Sequence, residues 1–156
     1  MKAIYWLRSD LRFHDNEALF LAAHKSTELA FVYTRKPTGP YRAQFLEESL
    51  ADLDQRLREK GHKLQVTELS ITELIKQNPE IEAVFYTREY AFNERQEEAQ
   101  LAKLPLKTIG VDQGALLKES ELPFPANSMP FVFSDFRRKI EGHTYQFKTA
   151  PPPRQW

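Results

Sequence analysis

The sequence contains no cysteine among its 156 residues. Disulfide bonds, thiolate nucleophiles, thiolate zinc sites and cysteine-ligated iron–sulfur clusters are therefore excluded. An excess of positive charge is also missing, because 22 lysines and arginines balance 22 aspartates and glutamates. Proteins that are held on nucleic acid mainly by phosphate contacts carry a clear cationic excess, so direct DNA binding is not expected.

Long apolar runs are missing as well. No stretch approaches the roughly 18 consecutive apolar residues of a membrane span, so no membrane association is expected. Strand-like sequence begins directly after Met1 and Lys2, which predicts that no signal peptide is present. We therefore expect a soluble, cytoplasmic protein. With 41% hydrophobic residues, the chain is long enough for one domain with a real core.

Glycine is scarce, at five positions. These positions form neither the G-x-G-x-x-G fingerprint of dinucleotide sites nor the G-x-x-x-x-G-K-[ST] loop that cradles phosphates. No serine lies in a G-x-S-x-G elbow, and the four histidines lack the spacing of metal ligands. An enzyme acting on a nucleotide is therefore the last of the functional hypotheses.

Five short apolar or aromatic runs recur along the chain and predict strands. They cover residues 3–7, 29–33, 64–67, 83–86 and 107–111. Most are continuous rather than alternating, which is typical of parallel strands buried on both faces. Because helical patterns lie between them, we predict an α/β fold, a doubly wound parallel five-stranded sheet in the Rossmann-like order 3-2-1-4-5 with helices on both faces.

The predicted helices alternate with these strands. The clearest begins near Arg42, carries apolar residues at steps of three and four, and stops at Gly61. Asp15 or Asn16 caps another helix that runs to about Ala23. Further helices are predicted over residues 72–77, 94–103 and 132–141. We expect residues 1–141 to form the domain and residues 142–156 to form a proline-rich tail or an interdomain linker.

Ligands of open α/β sheets bind at the carboxyl ends of the strands, where the strand order reverses. The predicted order therefore brings together the loops after the first and fourth strands. The first of these loops holds four charged side chains in eight positions: Arg8, Asp10, Arg12 and Asp15. They indicate either a structural ion-pair network or the polar rim of a ligand site.

The loop after the fourth strand leads into a helix. Asn93 followed by Gln96 fits a helix cap, and Glu94 then lies in the first turn, where negative charge is favoured. A carboxylate here also suits a different role, because it can accept two hydrogen bonds from the N–H edge of a pterin or purine ring. Both interpretations of Asn93 and Glu94 stay open.

Two motifs near the start of the chain are specific in combination. An apolar strand is followed by R-x-D-L-R at residues 8–12 and by D-N-x-A-L at residues 15–19. Together they resemble the opening of the photolyase/cryptochrome family. The similarity continues through residues 42–61, residues 93–95 and the segment MPFVFSDFRRKIE at residues 129–141. It covers nearly the whole chain and leans toward the DASH cryptochromes.

The resemblance implies an N-terminal α/β domain that holds a light-harvesting antenna chromophore, often methenyltetrahydrofolate, against a larger helical domain. In folate-binding members an asparagine–glutamate pair after the fourth strand contacts the pterin, and Asn93 and Glu94 match that pair. We predict Asn93, Glu94 and Arg8 as cofactor-binding residues. Because the remaining antenna contacts come from the helical domain, we expect this chain to bind methenyltetrahydrofolate weakly.

The family contains deoxyribodipyrimidine photolyases, which repair DNA, and cryptochromes. In both, the resemblance implies, the helical domain binds FAD and carries the tryptophan electron path. Trp6 and Trp156 do not match that path, so neither a catalytic residue nor an FAD site is predicted in this chain. Whether the chain works within an enzyme stays open, and a helical FAD-binding domain is the expected partner.

An interaction module without a chromophore is the alternative. It would pair with a separate FAD-domain partner, or with itself, through an exposed apolar face. Four apolar residues near the end of the chain are predicted to form that face: Leu122, Phe124, Phe131 and Phe133.

Overall fold

A computed structural model describes residues 1–147 and 149–153. Its strands are β1 (Lys2–Leu7), β2 (Glu28–Thr34), β3 (Leu64–Thr67), β4 (Ala83–Thr87) and β5 (Lys107–Val111). They form an all-parallel sheet in the order β3-β2-β1-β4-β5. The predicted sheet is confirmed, because both the number of strands and their order agree with it.

The helices are α1 (Glu17–Lys25), α2 (Pro40–Arg58), α3 (Ile71–Gln77), α4 (Phe92–Leu101) and α5 (Phe133–Glu141). Two short 3₁₀ turns, Glu119–Glu121 and Ala126–Ser128, lie between β5 and α5. Side chains alternate along β1, so Tyr5 packs with α1 and α2 on one face of the sheet. Trp6 packs with α3 and α4 on the other. Helices therefore cover both faces, as predicted.

The ends of α1 and α2 follow their sequence signals. Asn16 caps α1, because its side-chain oxygen accepts a hydrogen bond from the backbone N–H of Leu19 at 3.0 Å. Gly61 follows α2 in the left-handed conformation, with φ at +81°. Its N–H bonds the carbonyl of Arg58, and the N–H of the next residue reaches back to Leu57, which is a Schellman ending.

The start of α4 differs from the prediction. The helix begins at Phe92 after Ala91, so Asn93 is its second residue and the predicted capping role of Asn93 is wrong. Before the helix, the backbone N–H of Glu89 donates to the Glu98 carboxylate at 3.0 Å. That bond draws the loop onto the second turn. Glu94 does lie in the first turn, as predicted.

Residues 142–147 and 149–153 form neither helix nor strand. This segment returns to the domain, since the N–H of Ala150 donates to the Asp15 carboxylate at 3.2 Å and Pro153 is buried. Trp156, considered above for the electron path, lies outside the described residues. Within the described part of the chain, no helix is both long and apolar enough to cross a membrane.

Candidate functional site

The strand order reverses between β1 and β4, which lie side by side at the centre of the sheet. The loops that follow these strands meet at this edge. The Arg8 guanidinium donates to the carbonyl oxygen of Thr87 at 3.3 Å, and the Thr87 hydroxyl donates to the Asp10 carboxylate at 2.6 Å. Two separate polar groups result, one on each face of the sheet.

The group on the α1 side is the Asp10 network, formed by Tyr5, Asp10, Asn16, Thr87 and Gln113. Asp10 is 4% exposed. Besides Thr87, its carboxylate accepts hydrogen bonds from the Tyr5 phenol and, at 3.1 Å, from the backbone N–H of Arg8. Burial and the neighbouring Asp10 charge raise the pKa of Tyr5 well above its usual value of 10.0.

Two amides close the Asp10 network. The Asn16 amide donates to the Tyr5 oxygen at 2.8 Å and to the carbonyl of Arg12 at 3.0 Å. The Gln113 amide donates to the Thr87 hydroxyl at 2.6 Å, while its oxygen accepts from the N–H of Ala18 at 3.2 Å. The network is thus a buried structural joint between β1, β4, α1 and the loop after β5, which agrees with the structural interpretation of this charged loop.

The group on the opposite face is the Arg8 cluster, formed by Arg8, Glu89, Glu97 and Glu98. The Arg8 side chain is only 5% exposed, and its guanidinium stacks 4.5 Å from the centre of the Trp6 ring. Its Nη2 lies 3.4 Å from Glu89 and 3.7 Å from Glu97. Its Nη1 donates to the Glu98 carboxylate. Arg8 is therefore held among three carboxylates beneath α4, and Lys36 pairs with one of them from the surface, its Nζ 2.9 Å from Glu97.

The predicted residues Asn93 and Glu94 lie directly above the Arg8 cluster. Asn93 is exposed, whereas the Glu94 side chain is 25% exposed, with Lys36 Nζ 3.6 Å from its Oε1. Arg8 reaches the same turn from below, since its Nη2 donates to the backbone carbonyl of Glu94 at 3.4 Å. The structure thus brings the three predicted residues together, with two at the surface and Arg8 underneath.

Aromatic side chains are present at the end of β2, at the start of α2 and at the approach to α4. Tyr33 is half-buried at the end of β2; burial raises its pKa, and the nearby cations Arg42 and Lys36 partly offset the rise. Exposed aromatic residues occupy the first turns of α2 and the approach to α4: Tyr41, Phe45, Tyr90 and Phe92. A carboxylate acceptor beside a cation and aromatic rings suits a flat heteroaromatic ligand with N–H donors.

Sequence reasoning missed several members of the two groups. Trp6 and Arg8 lie two residues apart at the end of β1, so it was predictable that their side chains lie on the same face of the sheet. The spacing of Glu94, Glu97 and Glu98 also gave a signal, because steps of three and four place carboxylates on one helical stripe that needs a cation. Lys36 and Gln113 carried no such signal, since they reach the site only through the fold.

The alternative apolar face is only partly present. Phe131 is fully exposed and Phe133 largely so, but Leu122 is half-buried. Phe124 is buried, contrary to the prediction. Its ring packs edge-on against Phe136, with the centroids 5.8 Å apart.

Comparison with known proteins connects this geometry to a family. The DNA photolyase family model matches residues 3–154. A cryptochrome DASH of Gloeobacter violaceus is 35% identical over 162 residues, covering 88% of this chain and 31% of the relative. A cryptochrome DASH of Idiomarina loihiensis is 31% identical over 168 residues, covering 95% of this chain and 37% of the relative.

Solved structures agree with the sequence matches. A Synechocystis cryptochrome superimposes with a TM-score of 0.88 at 30% identity, covering 99% of this chain and 36% of that protein. A class III photolyase from Agrobacterium tumefaciens gives a TM-score of 0.84 at 26% identity, covering 99% and 34%. The chain spans about a third of the length of the relatives it matches, in their N-terminal α/β domain fold. It belongs to the DNA photolyase family.

Proposed function

We propose that this chain binds a light-harvesting antenna chromophore of the folate or pterin type, with Asn93 and Glu94 as its contacts. The observation that carries the proposal is the position of Glu94. Its carboxylate lies at the carboxyl edge of the sheet, in the first turn of α4 and within reach of solvent. Among the described residues, no hydrogen-bond donor other than the ion-paired Lys36 approaches it.

The chemistry of these side chains fits a pterin. A pterin ring presents adjacent N–H groups, and an ionised carboxylate accepts such a pair in a charge-assisted arrangement. The neighbouring Asn93 amide offers both a donor and an acceptor. Lys36 adds a positive charge beside the site, with its Nζ 3.6 Å from Glu94 Oε1.

The proposed site is shallow, because Asn93 is exposed and Phe92 and Tyr90 beside it are largely exposed as well. A ligand that the protein contacts on one side remains partly in water. It therefore buries less surface and binds weakly. We therefore propose that a helical FAD-binding domain supplies the facing wall, as the family resemblance implies. The role in DNA repair or light signalling would then belong to the assembled protein.

The test is an absorbance titration of the purified protein with methenyltetrahydrofolate. We expect a shifted chromophore band with the unaltered chain. Glu94→Gln should weaken the affinity about 10-fold or more, since a hydrogen bond to a charged group contributes roughly 1.5–3 kcal/mol. Asn93→Ala should weaken it less, because a neutral hydrogen bond contributes about 1 kcal/mol.

Matched controls lie elsewhere on the surface. Glu141→Gln removes a glutamate that pairs with Arg137 on α5, and Asn127→Ala removes an exposed asparagine; both should leave the affinity unchanged. An unshifted spectrum at every folate concentration would reject the proposal. Concentration-dependent dimerisation in that case would favour the interaction module, whose supporting observation is the fully exposed Phe131 beside the exposed Phe133.

A further inference from the structure

We propose that Arg8 is a positioning residue for the chromophore site: it fixes the turn that carries Asn93 and Glu94 without contacting the ligand. The inference rests on the proposed function and concerns how the same site is built. Arg8 matched the sequence pattern of a ligand-binding loop, but its side chain is 5% exposed. A side chain so deeply covered has little surface left for a ligand.

Arg8 is directed toward α4 by the alternation of β1. Residues two apart along a strand face the same side, so Arg8 continues the face of Trp6, which packs with α3 and α4. The Trp6 ring is itself fixed, because its indole N–H donates to the Thr34 hydroxyl at 3.0 Å. The guanidinium stacked on that ring at 4.5 Å is therefore held in one place before it meets α4.

The contacts of Arg8 converge on the start of α4. One nitrogen donates to the Glu98 carboxylate, and the same carboxylate accepts the backbone N–H of Glu89 at 3.0 Å. The other nitrogen donates to the carbonyl of Glu94 at 3.4 Å. Arg8 thus ties the loop, the first turn and the second turn to β1, which sets the direction of the Asn93 and Glu94 side chains.

The electrostatics require such a cation. Glu89, Glu97 and Glu98 place three carboxylates around this turn, and Glu94 adds a fourth. Like charges at close range repel one another, particularly where water is partly excluded. Lys36 pairs with Glu94 and Glu97 from the surface, whereas Glu89 and Glu98 have Arg8 as their ion-pair partner among the described residues. Without Arg8 the loop would have to move to separate these two carboxylates. The position of Glu94 relative to a bound ring would then be lost, while the sheet beneath would remain intact.

The experiment is a double-substitution cycle on methenyltetrahydrofolate affinity, read by absorbance on fully folded protein. Arg8→Met should weaken binding about tenfold in the unaltered background. Added to Glu94→Gln, Arg8→Met should have little further effect, because both substitutions weaken the same contact between Glu94 and the chromophore. Glu98→Gln should reproduce the loss, although Glu98 lies under the turn. Arg56→Met is the matched control, since Arg56 also stacks on a ring, that of Phe13, and should leave the affinity unchanged.

A second measurement keeps the inference testable apart from the proposed function. Amide hydrogen exchange of the unliganded protein should show faster exchange at Glu89 and over the first turn of α4 in Arg8→Met, with the β1 amides still protected. If the unaltered chain binds no folate, the proposed function fails, and this exchange result alone decides whether Arg8 positions the turn. If Arg8→Met does not fold, Arg8→Lys replaces it in both measurements, because lysine keeps the positive charge but lacks the planar guanidinium group.

Two results would overturn the inference. Unchanged affinity and unchanged exchange in Arg8→Met would show that the turn holds its position without Arg8. Additive losses in the cycle, together with full affinity in Glu98→Gln, would show that Arg8 contacts the chromophore directly.

Discussion

At the residue scale, Asn16 joins the start of α1 to the buried end of β1. The side chain is 1% exposed. Its oxygen caps Leu19 at 3.0 Å, and its amide donates to Tyr5 at 2.8 Å and to the carbonyl of Arg12 at 3.0 Å. Because the capping and network roles share one side chain, its loss would leave several buried polar groups without partners.

We predict that Asn16→Ala lowers the free energy of unfolding by about 2–4 kcal/mol, the sum of a lost helix cap and unsatisfied buried groups. Urea denaturation measures the change. Asn127→Ala is the control and should stay within about 0.5 kcal/mol, because that residue is exposed. A loss below about 1 kcal/mol for Asn16→Ala would mean that water replaces the amide and that the network is not a tight joint.

At the scale of elements, two glycines flank α2 and differ in backbone conformation. Gly61 lies beyond its carboxyl end with φ at +81°, and Gly39 precedes its first residue with φ at −67°. Apart from the adjoining backbone, neither has an atom within 4 Å of the position that a Cβ would take. The pair therefore separates the cost of the left-handed conformation from the cost of crowding.

We predict that Gly61→Ala lowers the free energy of unfolding by about 1–2 kcal/mol, because an L-residue with a Cβ is strained at positive φ. Gly39→Ala should be close to neutral, since its extended backbone suits alanine and the smaller freedom of the unfolded chain offsets the poorer N-cap. Thermal unfolding of the two variants measures both effects. Equal changes in the two variants would show that the Schellman ending of α2 does not depend on Gly61.

The elements also show how far the sequence alone leads. Strand positions were predictable because the apolar runs are short, mostly continuous and rich in β-branched and aromatic residues, which is typical of buried parallel strands. The stop of α2 was predictable from Gly61, whose conformation few other residues tolerate. The start of α4 was not, because the helix begins at Phe92 without a side-chain cap and leaves the capping signal of Asn93 unused.

Part of the candidate site was likewise predictable from the sequence, and part was not. Asn93 and Glu94 were located by a motif resemblance, and their place at the reversal of strand order followed from the predicted topology. The depth of Arg8 was not predictable, since it depends on how closely α4 packs over β1. Lys36 and Gln113 reach the site from distant segments, and no local pattern marks them.

At the scale of the whole molecule, stability at the two ends of the pH range depends on different groups. Asp54 joins α2 to β3 by accepting the N–H of Leu64 at 2.8 Å. That bond and the neighbouring Arg58 hold its pKa below the usual 3.8. On the alkaline side, burial raises the pKa of Tyr5 well above 10.0. Burial and the hydrogen bond to Asp112 raise the pKa of Tyr90 to about 12.

We predict a stability profile that is level between these limits and falls beyond each of them. A carboxyl with a lowered pKa stabilises the folded state above its unfolded pKa, so the Asp54 contribution is lost as the pH falls below about 4. A phenol with a raised pKa stabilises the folded state while protonated. The Tyr5 and Tyr90 contributions are therefore complete below about pH 10, and that of Tyr90 is lost as the pH rises toward 12. Urea denaturation from pH 2 to 11 measures the profile.

Single substitutions show which side chain causes the loss of stability at low pH and which causes it at high pH. Asp54→Asn keeps a weaker acceptor for Leu64, so it should cost about 1 kcal/mol at neutral pH and make the acid limb shallower. Tyr90→Phe removes the hydroxyl that donates to Asp112 and should flatten only the alkaline limb. Because the net formal charge is zero at pH 7, general charge repulsion grows in both directions, and Asp54→Asn changes that net charge by one. An acid limb of unchanged slope in Asp54→Asn would show that its proton affinity is the same in the folded and unfolded chain.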